Sequence, residues 1–265
     1  MNWKKPETEK GFISGYSYHK LCDWSLCPRY DQKFSPSDVQ ENDLVFLNLD
    51  HIEQFVNYLN SNKLKNKFIL VTQNSDRDFT QHMFNSIERF VNKIFAINST
   101  ASSEKIIKIP IGFNDHSAEI LEKEDITFIE KGNLVYVNFK IHHHRERIPC
   151  LNYFKQFEWV DVQNDIIPNK EFYNKLKTFK YCISPRGTGI DTHRLYESLI
   201  YGVIPITKTS ELNELYSNFP LRVVDTWEDV SYDFLVDNYD KNLSNYFEWI
   251  EKNPNWYKSE NWIKK

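Results

Sequence analysis

Between Tyr181 and Lys208 the chain reads YCISPRGTGIDTHRLYESLIYGVIPITK, and this stretch concentrates residue types suited to holding an anion. Tyr181, Cys182 and Ile183 have the character of a buried strand end, and Ser184, Pro185, Arg186, Gly187, Thr188 and Gly189 form a loop rich in breakers. Asp191 or Thr192 is placed to cap a following helix, whose Leu195, Leu199 and Ile200 supply a core stripe and whose Gly202 is a natural stop. Backbone N–H groups in such a loop and the positive end of the helix favour phosphate oxygens, and the planar guanidinium of Arg186 fits them as well. The chemistry indicated is recognition of a nucleotide diphosphate. The stretch has neither the lysine of a P-loop nor the spacing of GxGxxG. Arg194 and Glu197 stand three apart, which fits a surface ion pair. It fits equally a site in which Glu197 accepts from ribose hydroxyls while Arg186 and Arg194 hold phosphates.

The elements that must position these groups alternate along the chain. Residues 44–49, 68–71, 94–97 and 106–111 read as strands, with helical periods at 52–59, 79–91 and 119–129. Lys131, Gly132 and Asn133 then break the pattern, and strands follow at 134–139, 157–162, 180–184, 203–207 and 221–224. The reading is α/β with parallel sheets, in which ligands bind at the carboxyl edge of the strands. Residues 11–16 read as a short first strand and 19–31 as a loop without a clean period. In that loop His19, Asp23, Arg29 and Asp31 are candidates for gripping an acceptor sugar, or for bonds that only stabilise the loop. Asp76, in the polar run after strand 68–71, is the candidate proton acceptor; its competing reading is a cap for a helix starting near Arg77 or Asp78. Asp23, Asp31 and Asp115 stand in reserve. Arg145 and Arg147, in the loop after strand 134–139, are further candidates for neutralising a diphosphate.

The run SPRGTGIDTHRLYESLIYGVIPI, with R-G-x-G-x-D-T-x-R and a glutamate three residues on, resembles the exostosin-like glycosyltransferases. The similarity extends in order through SYHKLCDWSLCPRYD, VTQNSD, IPIGFND and LVYVNF. It implies a GT-B architecture: two Rossmann-like parallel-sheet domains facing across a cleft, with a C-terminal helix crossing back to the first domain. On this basis residues 1–130 form an acceptor-binding domain, 131–241 a nucleotide-sugar-binding domain, and a helix at about 242–265 packs on the former. The implied activity is inverting, metal-independent transfer of a sugar from a nucleotide sugar to a hydroxyl of a glycan. The donor implied is a UDP-sugar, with UDP-xylose as one option, and it acts as co-substrate, so no cofactor is expected. Asp76 takes the place of the base. Asn138 joins Arg145, Arg147, Ser184, Arg186, Gly187, Thr188, Gly189, Asp191, Thr192, Arg194 and Glu197 as the donor-binding set.

Composition bounds this reading. The 265 residues, 40% hydrophobic and 26% charged, fit an ordinary globular protein of two halves. A net charge of −4 gives no electrostatic reason to expect nucleic acid as a partner. No apolar run reaches the ~18 residues of a membrane span, and MNWKKPETEK lacks a signal-peptide core. The family often implies a membrane-anchored lumenal enzyme, whereas this chain reads as soluble and cytoplasmic, or else as a catalytic fragment. Cys22, Cys27, Cys150 and Cys182 make no paired C-x-x-C zinc site; Cys22 and Cys27 are close enough in sequence to bridge, but in a reducing compartment all four read as free thiols. His142, His143 and His144 are consecutive and diverge, so they read as a solvated loop, or as one phosphate contact, rather than a metal site. No DxD triplet suited to Mn²⁺ stands out. The competing reading is a non-catalytic nucleotide- or glycan-binding module on the same fold; an epimerase or dehydrogenase lacks its fingerprint here.

Overall fold

A computed structural model describes residues 11–165 and 167–264, and the segment weighed above as a signal peptide lies outside them. The chain forms two compact units, Gly11–Asp115 with the residues from Lys258 onward, and His116–Tyr257. No helix among the described residues is long and apolar enough to cross a membrane.

The first unit is built on β1 (Trp24–Cys27), β2 (Asp31–Lys33), β3 (Leu44–Asn48), β4 (Phe68–Gln73), β5 (Val91–Ala96) and β6 (Ile106–Lys108), in the order β2-β1-β3-β4-β5-β6. Only β2, at the edge, is antiparallel to its neighbour. The sequences LVFL and FILVTQ are buried along their whole length, as strands covered on both faces must be. One cover is α2 (Ile52–Ser61), whose Ile52, Phe55 and Leu59 are buried at helical spacing. Another is α3 (Gln81–Ile87), which adds Met83, Phe84 and Ile87 to the same cluster.

Two local readings are corrected. Residues 11–16 are not a strand: Phe12 makes one antiparallel bridge, to Lys258, and a helix, α1 (Gly15–Lys20), starts at once. Ser14 Oγ accepts from Ser17 N at 3.2 Å while Ser17 Oγ accepts from Ser14 N at 2.8 Å. This reciprocal box, made with serine where glutamate is usual, nucleates the helix. The stretch 19–31 is not a loop either, because it holds the end of α1 and the β1 strand of a β1–β2 hairpin. β1 is buried at alternate residues, Ser25 and Cys27.

The second unit runs from α4 (Asp115–Lys123, beginning on the last residue of the first unit) through β7 (Asn133–Val137), α5 (Arg147–Phe154), β8 (Val160–Val162), α6 (Asn169–Leu176) and β9 (Phe179–Ile183). It continues with α7 (His193–Ile200), β10 (Ile204–Lys208), α8 (Asn213–Tyr216), β11 (Arg222–Val224) and α9 (Tyr232–Lys252). The order is β11-β10-β9-β7-β8, parallel throughout. The α/β class with two Rossmann-like parallel sheets, read from the sequence, is the one observed.

Gly202 ends α7 with φ of 68°, and a Cβ there would lie 2.8 Å from the Phe128 ring. Lys131, only 6% exposed, donates to the carbonyls of Lys177 (2.7 Å) and Tyr201 (2.6 Å), the C-caps of α6 and α7. Helix α9 packs within this unit: Asn242 Nδ2 donates to Tyr181 Oη at 3.0 Å and Tyr246 Oη to the Leu199 carbonyl at 2.9 Å. The residues that return to the first unit come later, where Ser259 N donates to the Gly11 carbonyl at 3.3 Å. All four cysteines are free.

Candidate functional site

In the second sheet the chain leaves β7 towards β8 on one side, then comes back past β7 to β9 and continues to β10 and β11 on the other. The loops after β7 and β9 therefore part at their carboxyl ends, which is the place where open α/β sheets open a ligand crevice. The loop after β7 carries Asn138, His142–His144, Arg145 and the start of α5. The loop after β9 is Ser184–Thr192, leading into α7. The donor-binding candidates thus converge on one switch point.

Two arginines lace these loops together in opposite directions. Arg147, on the β7 side, reaches the β9 loop: Nε donates to the Arg186 carbonyl at 2.8 Å and Nη2 to the Pro185 carbonyl at 3.2 Å, while Nη1 holds its own Lys140 carbonyl at 2.9 Å. Arg194, on the β9 side, reaches back to the Asn138 carbonyl through Nη1 and lies over the Phe172 ring at 3.9 Å. Asn138 in turn donates to the carbonyls of Gln163 (2.9 Å) and Asp165 (3.1 Å).

Glu197 is buried, so the surface-pair reading is set aside. Its Oε2 accepts from Arg194 Nε at 3.3 Å, and its Oε1 from Tyr173 Oη at 3.1 Å and Ser117 Oγ at 3.2 Å. Of about four acceptor positions on a carboxylate, three are filled by these donors. Asp191 is buried too, and its carboxylate takes the Tyr196 hydroxyl (2.6 Å), the Tyr216 hydroxyl (3.4 Å) and the Thr192 N–H (2.9 Å). Burial and then this carboxylate push the Tyr216 phenol well above its ordinary value, so it stays a donor. Asp191 therefore anchors the loop to α7 and α8.

What the loop offers a ligand is a row of donors. The backbone N–H groups of Arg186, Gly187, Thr188, Gly189 and Ile190 are hydrogen-bonded to no described residue, although Gly187, Gly189 and Ile190 are buried. Arg186 Nε, Thr192 Oγ1 and Ser184 Oγ are likewise buried without a hydrogen-bond partner among the described residues. Thr192 stands at the N-cap of α7 but makes no cap bond. Buried donors are rarely left unpaired, and successive free N–H groups are the makings of an anion nest.

Burial, then the Arg194 charge, lowers Arg147 to about 10. His144 is held below its usual value by burial and then by Arg186, which keeps it neutral. Arg145 is exposed nearby. The His142–His144 run is mostly exposed, and no group of three His, Cys, Asp or Glu among the described residues is arranged to hold a metal ion.

In the first unit, His19, Arg29 and Asp31 come together, and the cluster includes Tyr16, Tyr30 and Asp115. His19 Nε2 lies 3.1 Å from Asp31 Oδ1, and its ring centroid lies 4.8 Å from Tyr30. Asp115 accepts from Tyr30 Oη (2.6 Å) and Tyr16 N (2.9 Å) and pairs with Arg29 at 3.3 Å. Tyr16 is 48% exposed, giving the cluster an open aromatic face. Asp23 is not among them. It precedes β1, where its carboxylate accepts from Leu44 N at 2.9 Å and pins the start of β3.

Asp76 follows β4 at the carboxyl edge, exposed and without a hydrogen bond or ion pair to any described residue. The helix-cap alternative fails, because α3 begins at Gln81 and its cap is Thr80, whose Oγ1 accepts from Met83 N at 3.4 Å. The neighbours of Asp76 are committed elsewhere, Ser75 to Asp50 at 2.6 Å and Arg77 to Glu53 at 2.6 Å.

No family model matches the sequence, and comparison with curated proteins gives no match. Among solved structures the chain is similar to an apo structure of OtsA, with 9% sequence identity and a TM-score of 0.47 over 80% of this chain and 69% of that one. It is similar also to a trehalose-6-phosphate synthase, studied with bisubstrate glycomimetics for glycosyltransfer with retention (10%, 0.45, over 81% and 71%). A GtfA/B complex matches at 9% and 0.40, over 84% and 55%. At TM-scores of 0.40 to 0.47 this likeness bears on neither the reaction nor its stereochemistry.

Proposed function

We propose that this chain transfers a sugar from a nucleotide sugar to a hydroxyl of a glycan acceptor, with inversion at the anomeric carbon and without a metal. The observation that carries the reading is the row of unpaired N–H groups from Arg186 to Ile190 at the switch point of a parallel sheet. In such a transfer the bond from the anomeric carbon to the diphosphate breaks as the acceptor oxygen attacks, and charge builds on the departing phosphate. Fixed N–H dipoles, Arg186 and the N-terminus of α7 are suited to absorb that charge. Asp76 is the proposed base, taking the proton of the acceptor hydroxyl. The cluster of Tyr16, His19, Arg29, Tyr30, Asp31 and Asp115 is the proposed grip for the acceptor.

The resemblance to exostosin-like glycosyltransferases supports a UDP-sugar as donor, UDP-xylose among the options. The test is a thermal-shift screen of UDP-, GDP- and CMP-sugars, followed by hydrolysis assays on whichever one binds. A UDP-sugar should raise the melting temperature and be slowly hydrolysed. Binding without hydrolysis would favour a binding module, and no shift with any nucleotide sugar would sink the donor assignment.

A further inference from the structure

We propose that Arg147 is a positioning residue: it sets the direction of the peptide groups that receive the diphosphate and does not itself touch the ligand. The inference rests on the reading of Ser184–Thr192 as the diphosphate site. Arg147 is 7% exposed, and each of the three guanidinium nitrogens is bonded to a backbone carbonyl. Two of those carbonyls, of Pro185 and Arg186, lie along one edge of the fork. In a trans peptide the N–H points opposite to the C=O. Drawing these two carbonyls towards Arg147 therefore turns the N–H groups of Arg186 and Gly187 away from it, and these are the first two of the unpaired row. A third bond, to Lys140, ties the same guanidinium to the β7 loop and so fixes the separation of the two arms.

Gly187 fits this arrangement. A Cβ on it would lie 3.2 Å from Arg147 Nη2, and its nearest other neighbour would be 3.9 Å away, so the residue is kept small by the arginine. A lysine in place of Arg147 keeps the charge but replaces a planar fork with a single point of contact, which cannot hold three carbonyls on two loops.

The test uses the full chain, with inorganic pyrophosphate and UDP as calorimetric probes and melting temperature as the check on folding. Arg147→Lys should weaken both probes by roughly tenfold, the loss of a charge-assisted bond pattern, while the sensitivity of binding to salt stays that of the wild type. Arg186→Ala, by contrast, should lower affinity and salt sensitivity together. An Arg147→Lys protein that binds like the wild type overturns the inference, and so does an Arg147 variant whose salt sensitivity falls as it does in Arg186→Ala. Should Arg147→Lys not fold, Gly187→Ala decides the matter. It crowds the fork without removing it, so affinity for pyrophosphate should drop several-fold at an unchanged melting temperature, and wild-type affinity would overturn the inference. A wild-type protein that binds neither probe would overturn the donor-site reading along with this one.

Discussion

Tyr30 donates its phenolic hydrogen to Asp115 Oδ2 at 2.6 Å, joining the end of the β1–β2 hairpin to the first residue of α4. Burial, and then that carboxylate, hold the Tyr30 phenol well above its ordinary value, so it remains a donor across neutral pH. Asp115 also holds Tyr16 N and Arg29, and it sets the geometry of the aromatic face. Asp115→Asn should raise the KM for the acceptor by roughly tenfold through the lost charge-assisted bonds. The KM for the donor should stay within twofold, by the approximate scale of surface changes. An unchanged acceptor KM would remove this cluster from acceptor binding.

Asp76→Asn keeps the shape of the loop and removes the proton acceptor. Transfer should fall by about 10² to 10⁴, the usual worth of a positioned base, with UDP affinity intact. Near-normal turnover in steady-state assays would exclude Asp76 from that role.

Lys131 gives a pH signature in the second unit. Burial lowers its pKa from the ordinary lysine value to about 7, and a neutral amine still has two N–H groups for its two carbonyl partners. The unfolded chain binds the proton more tightly, so this group's contribution to stability is complete above about pH 10. It is lost as pH falls to about 7. Relative to Lys131→Met, the wild-type urea midpoint should therefore rise with pH across that window. The slope should be no more than about 1.4 kcal/mol per pH unit. A difference that does not vary with pH would show that the buried amine keeps its charge.

If the diphosphate is neutralised by N–H groups and arginines alone, transfer should survive EDTA at full rate. Complete loss on chelation, restored by added Mn²⁺, would falsify metal independence.

Much of this was legible in the sequence. Short apolar runs such as FILV, too short for a helix and followed by polar breakers, read as covered strands, and the breakers mark the carboxyl-edge loops. The candidate loop announced itself through Arg186, Gly187 and Gly189. Side-chain direction was not legible. By residue type Arg147 belongs with the phosphate-binding arginines, but whether a guanidinium faces the ligand or the loop depends on which carbonyls come within 3 Å. Asp23 and Asp31 looked equivalent in one polar stretch, yet a four-residue strand lies between them and sends them to opposite ends of β1. The short capping box at Ser14 and Ser17 leaves little mark in the sequence, because serine at the last position is an uncommon partner. Ser117 and Tyr173, which fill out the setting of Glu197, lie 80 and 24 residues from it and left no local trace.

The return of the chain at Lys258 has a consequence for biosynthesis. The bridge from Phe12 to Lys258 and the bond from Ser259 to Gly11 join residues whose translation is separated by the whole of the second unit. The half that leaves the ribosome first must therefore wait, one seam open, until the later half has been made.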